Sequence, residues 1–232
     1  MDARELIARR AALLLGPGET VALGIGLPTL VGNHIDPRLK VVLFAEDGVA
    51  GIGPRPRPGE EDVDMINAGG EPITRTPETA TFDSAVAFAL VRGGRLDAAV
   101  LGTMQVSEAG DIASWKTPGG HSPGMGGGME LAAKARRVVV LTRMATRSGE
   151  PKIVPRCSMP LTAPRAADVI VSELGLFEVT PEGLTLRERA RAATVEQVRA
   201  ATPCRLIVTE PVAVMEDRIE AAIAAAETGE TP

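Results

Sequence analysis

The sequence predicts an α/β fold: an open, largely parallel sheet flanked by helices, of the kind that holds ligands at the carboxyl ends of its strands. Three observations predict it. Short apolar, partly β-branched runs alternate with helix-period segments along the chain. The runs at 40–44, 138–141 and 169–171 read as buried strands rather than helices. Glycine-rich turns recur at the predicted strand ends, at 24–26, 48–53 and 119–128. No linker divides the chain and no repeat is visible, so one domain is expected over 1–227, with a frayed tail at 228–232.

Taken in order, Asp2-Ala-Arg-Glu5 opens an amphipathic helix with Leu6, Ile7, Leu13 and Leu14 as its apolar positions, and Gly16-Pro17-Gly18 stops it. Thr20–Leu23 is a short strand. It runs into Gly24-Ile-Gly26-Leu-Pro28, where glycines permit a tight turn and Pro28 suits a first helical position. Residues 41–45 form the next strand, followed by a glycine loop and the stiff polar excursion 54–61. A helix over 81–91 ends at Gly93-Gly94 and leads to a strand at 98–101. Residues 106–112 read as a hairpin turn. The loop 119–128 feeds a helix at 129–135, and strands follow at 138–141 and 169–171. Thr194-Val-Glu-Gln197 is a capping box, 206–208 a strand and 215–226 the terminal helix.

Bulk composition excludes several function classes. With 232 residues, 44% of them apolar, the chain can fill a proper core. A net charge of -5 provides no basic footprint for nucleic acid. Aromatic content of 2%, with no Tyr, leaves almost nothing on which bases or planar cofactors could stack. The apolar run 11–15 is too short for a signal segment or a membrane span, so a cytoplasmic protein is expected, with no membrane partner. Cys157 and Cys204 lie far apart without a CxxC partner and read as buried thiols, neither disulfide nor zinc ligands. No metal-ligand cluster is evident.

Candidate chemistry narrows to a carboxylate. The glycine loops lack both the dinucleotide fingerprint and the Gly-Lys-Ser/Thr of a P-loop. Serine chemistry would need a histidine partner, and the chain has only His34 and His121, with no GxSxG elbow. His34 reads as a surface or capping side chain and His121 as a loop residue. Glu46 emerges at the end of the 41–45 strand and directly before glycines. Spacing by itself fits a solvated strand end equally well. It also fits a nucleophile aimed into a crevice, with no bulky neighbour to block it.

An ordered set of short blocks then points to a family. They are Leu23-Gly-Ile-Gly-Leu-Pro-Thr29, Glu46-Asp-Gly48 through Gly51-Ile-Gly-Pro54, Ile66-Asn-Ala-Gly69, Phe82-Asp-Ser84 and Val91-Arg-Gly-Gly94. Leu101-Gly-Thr-Met-Gln-Val106, Gly110-Asp-Ile-Ala-Ser-Trp115, Gly124-Met-Gly-Gly127 and Pro160-Leu-Thr162 continue them. With these blocks the chain resembles the beta subunit of the two-component 3-oxoacid CoA-transferases, over nearly its whole length.

The resemblance implies the fold shared with sugar-phosphate isomerases, an alpha-subunit partner in a hetero-oligomer, and acyl-CoA and carboxylic acid substrates. It implies no cofactor beyond coenzyme A itself as substrate, and no metal. Glu46 matches the family's nucleophile, which forms an acyl anhydride and then a glutamyl-CoA thioester. Gly126, Gly127 and Gly128 match the oxyanion and CoA-binding loop, and Ala22, Gly24, Gly26, Asp47 and Gly48 the substrate pocket.

The chain departs from the family near the site. Ala45-Glu46-Asp47-Gly48 stands where the family usually has Ser-Glu-Asn-Gly, and Ala22 where it commonly has Asn. Two lysines common to 3-ketoacid members are missing from 118–124. A carboxylate beside Glu46 raises the nucleophile's pKa. These departures leave open a non-transferring protein with a ligand-binding or regulatory role, and an acyl-CoA hydrolase, beside the transferase.

Overall fold

Five parallel strands frame the molecule, and the order in which the chain visits them decides where a site can form. The computed structural model describes residues 1–117, 119–120 and 124–228. His121 and residues 229–232 of the expected tail lie outside them.

In chain order the elements are α1 (Ala3–Ala12), β1 (Thr20–Leu23), two 3-10 segments (Pro28–His34 and Pro37–Leu39), β2 (Val42–Ala45), β3 (Val49–Ile52) and β4 (Arg75–Thr81). Then come α2 (Ser84–Arg92), β5 (Ala98–Gly102), β6 (Gln105–Ser107), β7 (Ile112–Ala113), α3 (Gly128–Lys134), β8 (Arg137–Leu141) and β9 (Ile153–Val154). The last are β10 (Val169–Val171), β11 (Gly175–Thr180), β12 (Gly183–Arg189), α4 (Val195–Ala201), β13 (Leu206–Val214) and α5 (Met215–Thr228).

The main sheet has the order β13-β12-β11-β10-β8-β5-β1-β2-β3-β4. Its centre, β10-β8-β5-β1-β2, is parallel throughout, whereas β3, β4 and β11 add by antiparallel pairing. From β1 the chain steps to β2 on one side, while β5, β8 and β10 build outward on the other. The order therefore reverses between β1 and β5, which opens a crevice at their carboxyl ends. A small sheet, β7-β6-β9, lies apart from the main one.

The core follows from the strand sequences. Val100, Val139, Val140, Ile170 and Val171 are fully buried, as strands with helices on both faces require. Helix α1 starts where the sequence predicts, because the Asp2 carboxylate accepts hydrogen bonds from the N–H groups of Arg4 and Glu5. Its buried face is Leu6, Ile7, Ala8, Arg10 and Ala11, while Leu13, expected inside, is exposed beyond the helix end. Arg10 is buried because it forks onto Glu188 of β12, with Nε to Oε2 at 2.6 Å and Nη2 to Oε1 at 2.7 Å. Thr194 and Gln197 make the reciprocal capping box expected of them.

Other expectations are corrected. The 48–53 loop is largely strand β3, hairpinned onto β2, and the 81–91 helix begins at Ser84, after an Asp83 cap. Thr228, assigned to the tail, still belongs to α5. Strand β4 was not anticipated. Its sequence, Arg-Thr-Pro-Glu-Thr-Ala-Thr, is polar and holds Pro77, which an edge strand tolerates.

Candidate active site

The crevice is built from three strand ends and one loop. At the end of β1, the Gly24 N–H donates to the Val100 carbonyl of β5 at 2.8 Å. A side chain at Gly24 would press on that same carbonyl, which explains the glycine. Gly26 has φ +87°, and its carbonyl accepts from the Thr29 hydroxyl at 2.7 Å, tying the turn to the first 3-10 segment. Gly102, closing β5, lies against Ile25 and Pro28 of the same turn.

Glu46 sits in the tight turn between β2 and β3, where the Gly48 N–H returns to the Ala45 carbonyl at 3.1 Å. Gly48 has φ +121°, and a Cβ there would collide with the Phe82 carbonyl oxygen, so only glycine closes this turn. Behind it Phe44 stacks on Phe82 with centroids 6.0 Å apart. The turn is therefore held from below by apolar packing while its acidic side chain faces the strand end.

The distant glycine loop reaches this carboxylate. Gly127 lies so close that a Cβ added to it would stand 2.5 Å from Glu46 Oε1, 2.6 Å from Cγ and 2.8 Å from Cδ. Its backbone, at φ -74° and ψ -13°, is ordinary for any residue, so the close approach and not the conformation demands glycine. Gly126, at φ +51°, turns the chain into position. Among the described residues the N–H groups of Gly126 and Gly127 have no acceptor, while the Gly128 N–H donates to the Met125 carbonyl at 3.2 Å. The structure thus brings together Glu46 and the loop 126–128, parted by some eighty residues of sequence, and leaves two amide donors unclaimed beside the carboxylate.

Burial sets the charge state of the site. Glu46 is half-buried, and desolvation is the main reason its pKa lies above the ordinary carboxylate value, with the negative charge of Asp47 adding to it. Asp47 itself is exposed. The raised value expected from Asp47 alone is thus chiefly a matter of depth in the crevice.

Ala22 does not reach the crevice. Its side chain is fully buried in β1, in register with Phe44 of β2 and Ala99 of β5. The remaining candidates outside the crevice read simply. His34 Nε2 lies 3.3 Å from Glu5 Oε1 on α1. Burial pushes the Cys157 thiol up to about 11 and the Cys204 thiol to about 12, which keeps both protonated and unreactive at neutral pH.

Ile25 and the loop holding Ile66 were not anticipated as neighbours. Ile25, 70% exposed, lies against Gly69, whose N–H donates to Asn67 Oδ1 at 2.9 Å. With Ile66, Met125 and Met129 also exposed, the rim of the site is apolar. The sequence signal for such a rim was present: large hydrophobic residues set among glycines.

A half-buried carboxylate against a glycine loop, one strand from the switch point of an open α/β sheet, is an arrangement that can support carboxylate-centred chemistry. The family comparison makes this specific. The profile of the coenzyme A transferases matches residues 4–201. The beta subunit of a probable coenzyme A transferase of Bacillus subtilis (strain 168) is 42% identical over 208 residues, covering 90% of this chain and 96% of the relative. The beta subunit of the acetate CoA-transferase of Escherichia coli (strain K12) is 43% identical over 205 residues, covering 88% and 94%. The fold is shared with the acyl-CoA transferase YdiF of Escherichia coli O157:H7, solved as a thioester complex with CoA. The TM-score is 0.75 at 19% identity, over 94% of this chain and 44% of that one. The chain belongs to the coenzyme A transferase family.

Proposed function

We propose that this chain is the nucleophile-bearing beta subunit of a heteromeric CoA-transferase. It moves CoA from an acyl-CoA donor such as succinyl-CoA to a 3-oxoacid-like carboxylic acid through a thioester on Glu46. The observation that carries the reading is the Glu46 carboxylate held against Gly127, beside the unclaimed N–H groups of Gly126 and Gly127.

A Glu46 carboxylate oxygen attacks the thioester carbonyl of the donor. The tetrahedral oxyanion collapses with cleavage of the carbon–sulfur bond, leaving an acyl-glutamyl anhydride and CoA thiolate. The thiolate then attacks the Glu46 carbonyl of that anhydride, which frees the donor acid and leaves the glutamyl-CoA thioester. The acceptor carboxylate attacks this thioester and expels the thiolate, which takes the acceptor's acyl group from the new anhydride and restores Glu46. Every step passes through an oxyanion, and the two free amides are suited to receive it. Loss of one such donor elsewhere costs about 10²- to 10³-fold in rate.

Two features support a second, different chain in the assembly: the apolar rim, and the full-length match to relatives named as beta subunits. The cytoplasm is the proposed location. No helix among the described residues is long and apolar enough to cross a membrane.

The test is mass spectrometry of the assembled pair after incubation with a panel of acyl-CoAs and trapping with borohydride. A mass change on the peptide holding Glu46, absent in Glu46→Ala, is the expected result, and the donor that produces it identifies the substrate. No change with any donor in an assembled complex, or full turnover by Glu46→Ala, overturns the proposal. CoA release without an acceptor would instead mark hydrolysis.

A further inference from the structure

Resting on the CoA-transfer reading, we propose that Lys152 and Arg143 hold the phosphate end of the CoA substrate at the far end of the crevice from Glu46. Arg143 lies two residues beyond β8, and Lys152 is anchored near it, its N–H donating to the Met144 carbonyl at 2.9 Å and its carbonyl accepting from the Val106 N–H at 2.8 Å. Both residues therefore stand at the carboxyl ends of the parallel strands, on the same edge as Glu46.

Lys152 is half-buried, and among the described residues its ammonium has no hydrogen-bond or ion-pair partner. The third charge of the cluster, Glu173 beyond β10, is already committed. One oxygen meets Arg143 Nε at 3.0 Å and the other accepts from the Met144 N–H at 3.0 Å. Among the described residues that leaves Lys152 and the outer N–H groups of Arg143 as unsatisfied cationic donors, the preferred partners of phosphate. Around them, residues 143–156 carry Arg147 and Arg156 as well, against Glu150 alone. On the other side of Glu46 the same edge presents Asp47 and Asp83, which would repel a polyanion.

The spacing agrees. Three strand steps separate β2 from β8 in the order β8-β5-β1-β2, or roughly 14 Å at the usual inter-strand distance. The arm of CoA from sulfur to its diphosphate is about thirteen bonds long, and an extended chain of that length spans roughly 15 Å. With its sulfur at Glu46, CoA is therefore long enough for its phosphates to reach the end of β8, beyond which Arg143 and Lys152 lie.

The test compares acyl-CoA with the corresponding acyl-pantetheine thioester, which lacks the phosphates, on the complex with the alpha-type partner. In Lys152→Met and Arg143→Gln, KM for acyl-CoA should rise about tenfold or more at little-changed kcat, and Lys152→Arg should restore most of it. The acyl-pantetheine kinetics should not move. Binding of adenosine 3′,5′-bisphosphate, followed by calorimetry, should be lost in both variants and kept in Glu46→Ala. This readout needs no turnover, so it stands apart from the fate of the transfer mechanism. Equal losses with both thioesters, bisphosphate binding unaffected by the variants, or no bisphosphate binding to the unaltered complex, would overturn the assignment.

Discussion

Replacing Gly127 by alanine tests the central contact of the site with a single methyl group. The new Cβ would stand 2.5 to 2.8 Å from Oε1, Cγ and Cδ of Glu46, where carbon contacts normally lie at about 3.5–4.0 Å. Glu46 must therefore move by about 1 Å, and a displacement of that size costs on the order of 10²-fold in rate, or about 2.7 kcal/mol in the barrier. The fold has no reason to suffer. The atoms met belong to a flexible side chain, and the φ and ψ of Gly127 suit alanine, which at compatible positions stabilises a protein by about 0.4–1 kcal/mol. The assay pairs steady-state transfer with thermal unfolding of the same sample. The expected result is kcat down about 100-fold with Tm unchanged or slightly raised. Full activity in Gly127→Ala, or a loss of activity that merely tracks a loss of Tm, would refute the claim that this glycine sets the position of the Glu46 carboxylate for the proposed transfer.

Two further predictions concern charge. Burial, reinforced by Asp47, raises the Glu46 pKa, so the folded protein holds this proton more tightly than the unfolded chain. Its ionisation therefore subtracts stability as pH rises from the ordinary carboxyl range through the raised value. Glu46→Gln should have the higher Tm at neutral pH, and the gain should vanish below the ordinary carboxyl range. Transfer by the unaltered enzyme should fall as pH drops through the same raised value. A Glu46→Gln protein no more stable than the parent at pH 7 would contradict this. Separately, Arg10→Met leaves the buried Glu188 carboxylate facing Arg218 Nε at 4.0 Å, too long a contact to replace the fork, and should cost about 3 kcal/mol by denaturant unfolding. Changing both residues to apolar ones of similar volume should recover most of that loss.

Much of the frame was legible because local chemistry and fold agree there. The Asp2 cap, the Thr194–Gln197 box, and the runs at 20–23 and 98–101 announce themselves through side chains that act on their own neighbours. Where partners decide, the sequence was silent. Val49-Ala-Gly-Ile52 reads as a loop because Gly51 breaks the strand pattern, yet a Cβ at Gly51 would meet the backbone of Glu78 at 2.9 Å. The neighbouring strand demands the glycine that hides β3. Strand β4 is obscured by Pro77, and β11 and β12 declare themselves only by pairing with β10 and β13.

For the site, sequence alone determined that a glutamate follows a buried strand and precedes a glycine, and its ordered motifs named the family to which such a glutamate matters. Only the tertiary structure decided that Gly127 presses against that glutamate and that Ala22 lies buried between β2 and β5. It also decided that Lys152, with no hydrogen-bond or ion-pair partner among the described residues, lies beyond the end of β8, three strands from β2. Motifs are properties of neighbours along the chain. Contact between residues 46 and 127 and the depth that raises a carboxyl pKa are set by how strands order themselves in a sheet, which no local stretch of sequence carries.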